Sequence, residues 1–132
     1  MANAIYPKWK EAIIQASTNS SLSGTVKAAL VDTGTYTYSA THQFYSDLSG
    51  VVGTPGSIGT HTYTSGTFDG ADVTFSAVTG NSVEAIVIYI DTGTTTTSRL
   101  VAYLDTGYTG LPVTPNGGDI TITWNASGIF TL

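Results

Sequence analysis

The sequence predicts a mainly β protein, an antiparallel β-sandwich of jelly-roll type with one short helix near its N-terminal end. Two observations carry the β assignment. Threonine, β-branched and at home on either face of a sheet, occurs 24 times in 132 residues, whereas charged residues make up only 10% and leave little material for solvated helices. From Thr25 onward, about eight short apolar or alternating runs are separated by Gly, Pro, Asn and Asp. Helical spacing is confined to the opening: Trp9, Ile13 and Ala16 follow Pro7 at intervals of three and four.

That spacing predicts an amphipathic helix over residues 7–17, with Pro7 suited to its first turn. Residues 17–24 are small and polar and end it. The division that follows is a helical arm and linker over 1–24 and a β-sandwich domain over 25–132. Residues 25–32 and 35–38 form the first strand pair, bent at Gly34. Residues 39–50 break the pattern and suit helical turns or a packed loop. After Val51 and Val52, glycine punctuates at 53, 56 and 59. Short strands are expected at 61–64 and 67–68, joined by a tight turn at Ser65-Gly66, and another over 72–78.

Residues 82–91 give the strongest strand. Its core, Val83-Glu84-Ala85-Ile86-Val87-Ile88-Tyr89-Ile90, is apolar on both faces, which predicts a central strand covered on each side. A polar tip at 92–97 returns the chain through 99–105. The loop over 107–118 contains Pro112 and Pro115 and supplies few ladder donors. Residues 119–125 alternate cleanly, with Ile120, Ile122 and Trp124 on one face and Thr121 and Thr123 on the other. Residues 129–132 add a last short strand.

Composition narrows the function classes. The chain has no Cys, so disulfides, thiolate metal sites and a cysteine nucleophile are excluded. Four Lys or Arg stand against nine Asp or Glu, with a formal net charge of -5. Nucleic acid is not an expected ligand, because phosphate neutralisation needs clustered cations. No apolar run approaches the roughly 18 residues of a membrane span, and the opening residues lack the pattern of a secretory signal. Synthesis in a cytoplasm is expected, and with it no glycosylation at Asn19-Ser20-Ser21 or Asn125-Ala126-Ser127.

One motif admits two roles. Three strand-like runs end in Asp-Thr-Gly, at 32–34, 91–93 and 105–107. Apolar residues followed by Asp-Thr-Gly are also the local signature of an aspartic protease, which needs two carboxylates face to face sharing a proton. Here the following residues are Thr35, Thr94 and Tyr108 instead of Ala or Ser, and the best candidate for a bracing segment, Ser57-Ile58-Gly59, is poor. Three copies are one too many for a single-chain enzyme. Asp and Gly also suit turns that end strands, and strand exits are the expected role. The chain is therefore not read as an enzyme.

The remaining candidates are weaker. His42 and His61, the only imidazoles, lack a Gly-x-Ser-x-Gly elbow to serve and are expected in partly exposed loops. Asp69-Gly70-Ala71-Asp72 offers two carboxylates where Ca²⁺ takes six to eight oxygens, and Asp-Gly is a common turn, so no metal or other cofactor is expected. Tyr36, Tyr38, Tyr45, Tyr63, Tyr103 and Tyr108 are either an aromatic binding surface or, more ordinarily, core and cross-strand pairs. The arm is more suggestive. A short helix with Ile5, Tyr6, Trp9, Ile13 and Ile14 must dock somewhere, either on its own domain or on a neighbour. Ile5, Tyr6 and Trp9 are the candidate interface residues from that placement alone.

Four stretches carry a resemblance: the opening Met1-Ala2-Asn3-Ala4-Ile5-Tyr6-Pro7, residues 32–38 with His42-Gln43-Phe44-Tyr45-Ser46-Asp47 after them, Ile88-Tyr89-Ile90-Asp91-Thr92-Gly93, and Trp124-Asn125. They resemble small structural proteins of tailed bacteriophages, most of all capsid decoration, or cement, proteins. The resemblance covers nearly the whole length. It implies a protein made in the host cytoplasm and located on the capsid surface of the virion. There it would bind the major capsid protein and associate with itself as a homotrimer or other symmetric oligomer, resisting the pressure of packaged DNA. The family offers no position-specific contact motif to carry over. A fibre or adhesin domain binding a host glycan is the alternative, and it predicts exposed aromatics near Tyr108 and the 92–97 tip.

Overall fold

The structure, a computed structural model, describes residues 3–132; Met1 and Ala2 of the opening stretch lie outside the described residues. In chain order the elements are β1 (Ala4–Ile5), α1 (Pro7–Ile14), β2 (Val26–Val31), β3 (Val51–Ser57), β4 (Thr67–Phe68), β5 (Val73–Phe75), β6 (Ala85–Ile90), β7 (Leu100–Leu104), β8 (Tyr108–Thr109), β9 (Ile120–Trp124) and β10 (Phe130–Thr131). Among the described residues the protein is mainly β, with antiparallel sheets and a single short α-helix. Four of the strands have only two residues, which is why the sequence pattern resolves fewer. No helix among the described residues is long and apolar enough to cross a membrane.

Every residue of β6 is buried, as its two apolar faces require. It is the third strand of a five-stranded sheet ordered β1-β7-β6-β2-β3. On one side Val26 to Val31 pair in register with Ile90 to Ala85; on the other, Ile86 pairs with Leu104 and Ile88 with Ala102. A second sheet has the order β5-β9-β8, and a two-stranded ribbon joins β10 to β4. In β9, Ile120, Ile122 and Trp124 are buried and Thr121 and Thr123 exposed, matching the alternation. The layers meet closely at Gly56 of β3: a Cβ there would stand 2.6 Å from the Val73 Cγ1 of β5.

Three segments depart from the sequence expectation. Residues 35–38 are not a strand. The Asp32 carbonyl accepts both the Thr35 and Tyr36 amides, at 3.0 and 2.9 Å, so the chain curls at the end of β2 and turns Tyr36 into the interior. Residues 51–57 do form a strand despite Gly53, Pro55 and Gly56. β3 lies at the sheet edge, where a missing amide donor is tolerated, and a register shift opposite Ala28 and Leu30 absorbs the irregularity. Residues 61–64 contribute only a bridge from Thr62 to Asp69; Ser65 and Gly66 then turn the chain with positive φ, 53° and 77°.

The helix ends at Ile14, three residues before the predicted limit. Ala16 adopts φ 52°, its amide bonds the Ile13 carbonyl at 3.0 Å, and the Ser17 amide reaches back to Ala12 at 2.9 Å. This is the Schellman arrangement that closes a helix through a left-handed residue. Consequently Ala16 is exposed, and the buried helix residues are Trp9 and Ala12.

Residues 4–14 belong to the body of the fold and do not project from it as an arm. Ala4 and Ile5 pair with Tyr103 and Ala102, extending the main sheet, and the Tyr6 amide bonds the Val101 carbonyl at 2.9 Å. Tyr6 and Trp9 are 0% and 3% exposed and join the common core. The Trp9 indole donates to the Ser20 carbonyl at 2.9 Å and stands edge-on to Phe130, ring centres 5.9 Å apart.

Two expected outcomes follow from this end of the chain. Trp9→Ala should cost about 3–5 kcal/mol in urea unfolding, since it empties a core site; a change below about 1 kcal/mol would restore the arm description. Ala16→Gly should gain about 0.5–1 kcal/mol by relieving the left-handed alanine, seen as a higher urea midpoint with unchanged slope; a lower midpoint would contradict the assigned cap.

Candidate functional site

The three Asp-Thr-Gly segments follow β2, β6 and β7. Because β6 runs antiparallel to both neighbours, Asp91 emerges at one end of the sheet, and Asp32 and Asp105 at the other. Asp32 and Asp105 lie on either side of β6, about 10 Å apart by two strand spacings. Carboxylates that share a proton are about 3 Å apart. No two of these aspartates form a protease pair within one chain.

Asp32 and Asp91 instead fasten their own strand exits. Asp32 Oδ1 accepts the Gly34 amide at 2.9 Å, and Oδ2 accepts from Thr35 Oγ1 and Asn81 Nδ2, both at 3.2 Å. The Gly34 bond is the main reason its carboxyl sits below the usual range. Asp91 Oδ1 accepts the Gly93 amide at 3.0 Å and Oδ2 meets Lys27 Nζ at 2.8 Å; Lys27 is the leading cause of its lowered pKa. In the third copy the cap comes from elsewhere: Asn3 Oδ1 accepts the amides of Asp105 and Thr106, at 2.7 and 3.1 Å.

The other polar candidates are similarly engaged. Tyr36 OH and His42 Nδ1 are 2.8 Å apart, while Asp47 turns to the amides of Gln43 and Phe44, at 2.8 and 3.0 Å. His61 Nε2 donates to the Ile58 carbonyl at 2.6 Å. Both imidazoles are half-buried in loops. Asp69 accepts the Gly70 amide and Asp72 the Trp124 amide, so the two carboxylates of 69–72 hold different pieces of backbone.

Most of the tyrosines named above pack within the fold. Tyr6 and Tyr36 share a 2.7 Å hydroxyl bond, Tyr38 lies 5.7 Å from Tyr103, and Tyr45 lies 4.7 Å from Tyr89. Burial pushes Tyr36 up to about 12 and Tyr6 further. Tyr108 stands edge-on to Trp124 and donates to the Leu104 carbonyl at 2.9 Å.

Ile5, Tyr6 and Trp9 do not form an outer contact surface. Tyr6 and Trp9 are internal, and Ile5 is half-buried on β1. What the fold presents beside Trp9 is an apolar groove of about 380 Å³ between α1, the 20–23 linker, β4 and the C-terminal residues. Ile13, Leu22, Tyr63, Phe130 and Leu132 line it with the edge of Trp9. Of this lining Leu132 is 60% exposed; Ile14, next to Ile13 in sequence but outside the lining, is 84% exposed. The signal for Ile14 was present: adjacent residues on a helix point about 100° apart, so Ile13 and Ile14 cannot both face the body. Nothing local revealed that Phe130 and Leu132 would return to this place.

No family model matches the chain, and no curated protein matches it.

The electrostatics set a pH dependence. Asp91 and Asp47 have folded pKa values below their unfolded ones, so their stabilisation is complete above about pH 4 and is lost as pH falls through the folded values. Tyr6 and Tyr36 are shifted upward, so their contribution holds below about pH 10 and is lost above it. Thermal melts should show a plateau between these limits, with Asp91→Asn flattening the acid slope; an unchanged acid slope in that variant would remove Asp91 from the account.

Proposed function

We propose that the chain is a virion structural protein of the tailed-phage type, binding the outer surface of the capsid and stabilising the shell. The observation that carries this reading is the use of side chains that could perform chemistry. Asp32, Asp47, Asp91 and Asp119, with Asn3 and Asn125, accept backbone amides and hold loops against one core. Such a domain suits load-bearing. The resemblance of the quoted stretches to decoration proteins supports the same reading.

In this proposal the five-stranded and three-stranded sheets are the layers of an antiparallel sandwich of jelly-roll type, in contact at β3 and β5. The partner is the major capsid protein, and the protein itself assembles as a trimer or other symmetric oligomer on the virion. Many symmetry-related copies turn modest individual contacts into high avidity. The attachment face is the groove lined by Ile13, Phe130, Leu132 and the edge of Trp9, with exposed Ile14 next to Ile13 on the helix; Ile5 and Tyr6 do not line it. The glycan-binding alternative has less support. The 92–97 tip contains no aromatic residue, and the Tyr108 ring and hydroxyl are both engaged.

The test is co-sedimentation with capsids lacking this protein, with light scattering for the free oligomer. Saturable binding at a fixed ratio per capsid subunit is expected, at least about tenfold weaker for Ile14→Asp with Leu132→Asp, roughly the loss of one buried apolar side chain. Asp32→Asn should bind as the parent does. A folded protein that never binds shells overturns the proposal.

A further inference from the structure

The two-stranded ribbon has an unused side. β10 pairs with β4 and with no other strand; Phe130 stands opposite Phe68 and Thr131 opposite Thr67. The Leu132 amide bonds the Gly66 carbonyl at 3.0 Å, which places the bonded pairs of this ladder at 130 and 132. Successive residues of an antiparallel strand direct their main-chain groups to opposite sides, so the Thr131 amide and carbonyl point away from β4. No other described residue bonds either group, and Thr131 is exposed. Its hydroxyl is already engaged, 2.8 Å from the Thr67 hydroxyl on the face opposite Phe130.

This open donor and acceptor lie beside the apolar groove. Phe130 and Leu132, on either side of Thr131, share one face of the strand and line the groove with Trp9, Ile13 and Tyr63. Across from Leu132 is Gly66, where an added Cβ would meet only the Leu132 carbonyl, at 3.6 Å. The groove therefore has no cross-strand side chain over Leu132 and stays open there. No charged residue lines it.

A partner that covers this lining also takes water from the Thr131 amide and carbonyl, and both then need replacement bonds. An acyl chain has no polar groups to offer, and the side of a helix has used its main-chain groups internally. An extended peptide supplies a carbonyl and an amide from its edge, together with side chains at alternate positions for the groove.

We propose that β10 accepts an added strand: an extended, uncharged segment of a protein partner with apolar side chains two residues apart. The segment pairs with Thr131 through its main chain and sets those side chains against Phe130 and Leu132. The inference rests on the reading of the groove as the attachment face and adds how a partner engages it.

The experiment is a titration of isotope-labelled protein, followed by amide NMR, with the blocked peptide acetyl-Ser-Val-Ser-Val-Ser-amide. Its central serine is the residue that would lie opposite Thr131. Saturable shifts at Phe130, Thr131 and Leu132 are expected at about millimolar affinity, with the Thr131 amide proton moving downfield as it gains an acceptor. N-methylation of the central serine should weaken binding about fivefold or more, the loss of one hydrogen bond. Thr131→Pro, which deletes an amide that the ladder does not use, should weaken it similarly, whereas Thr131→Val should not. Should the proline variant misfold, the methylated peptide decides. 1-Hexanol, apolar but without main-chain groups, should not move the Thr131 amide downfield. Full-strength binding by the methylated peptide or by the folded proline variant, an equal downfield shift with hexanol, or no saturable shift up to about 10 mM peptide would each overturn the proposal. Shell binding without peptide binding would leave the attachment reading standing and remove strand addition; peptide binding without shell binding would do the reverse.

Discussion

The constraint on which the fold depends is that β6 has no polar face. Ala85 to Ile90 are all buried, so the strand must have ladder partners at both edges and apolar layers above and below. β2 and β7 satisfy the edges, and both are themselves buried along almost their whole length. The rest of the chain is arranged to cover these three strands. One consequence is that the smallest elements matter: the two residues of β1 protect the outer edge of β7, and they bring Tyr6 into the interior.

Loop construction follows a second, local rule. A β protein with few charges still has to terminate each strand and satisfy the amides that leave the ladder. Here short polar side chains do this one turn at a time, as Asp32, Asp91 and Asn3 do at the Asp-Thr-Gly segments. The first two copies cap themselves, whereas the third borrows its acceptor from the opposite end of the chain. The same tripeptide therefore marks an autonomous turn in two places and a long-range tie in the third.

The legible parts of the sequence were those where one periodicity determines the outcome. The unbroken apolar run of β6 and the alternation of Ile120, Ile122 and Trp124 needed no tertiary information. Residues 35–38 alternate just as well, but the Asp32 carbonyl bends the chain before a ladder can form, and Tyr36 is recruited by Tyr6 and His42. β3 was hidden for the converse reason: Gly53, Pro55 and Gly56 look like loop residues until an edge position makes them acceptable. At the candidate sites, burial of Tyr6 and Trp9 could not be distinguished from docking on a neighbour. The groove beside Trp9 depends on Phe130 returning from the far end of the sequence, and that return has no local signature.

The edge-on contact between Trp9 and Phe130 also has a temporal meaning. Synthesis at about 5–20 residues per second separates those two rings by several seconds, and β1 waits nearly as long for β7. During that interval the first helix, too short to persist alone, has no core to join. The core around Tyr6 and Trp9 therefore cannot close until β7 and β10 have been made, so the earliest helix of the chain is among the last elements to be fixed.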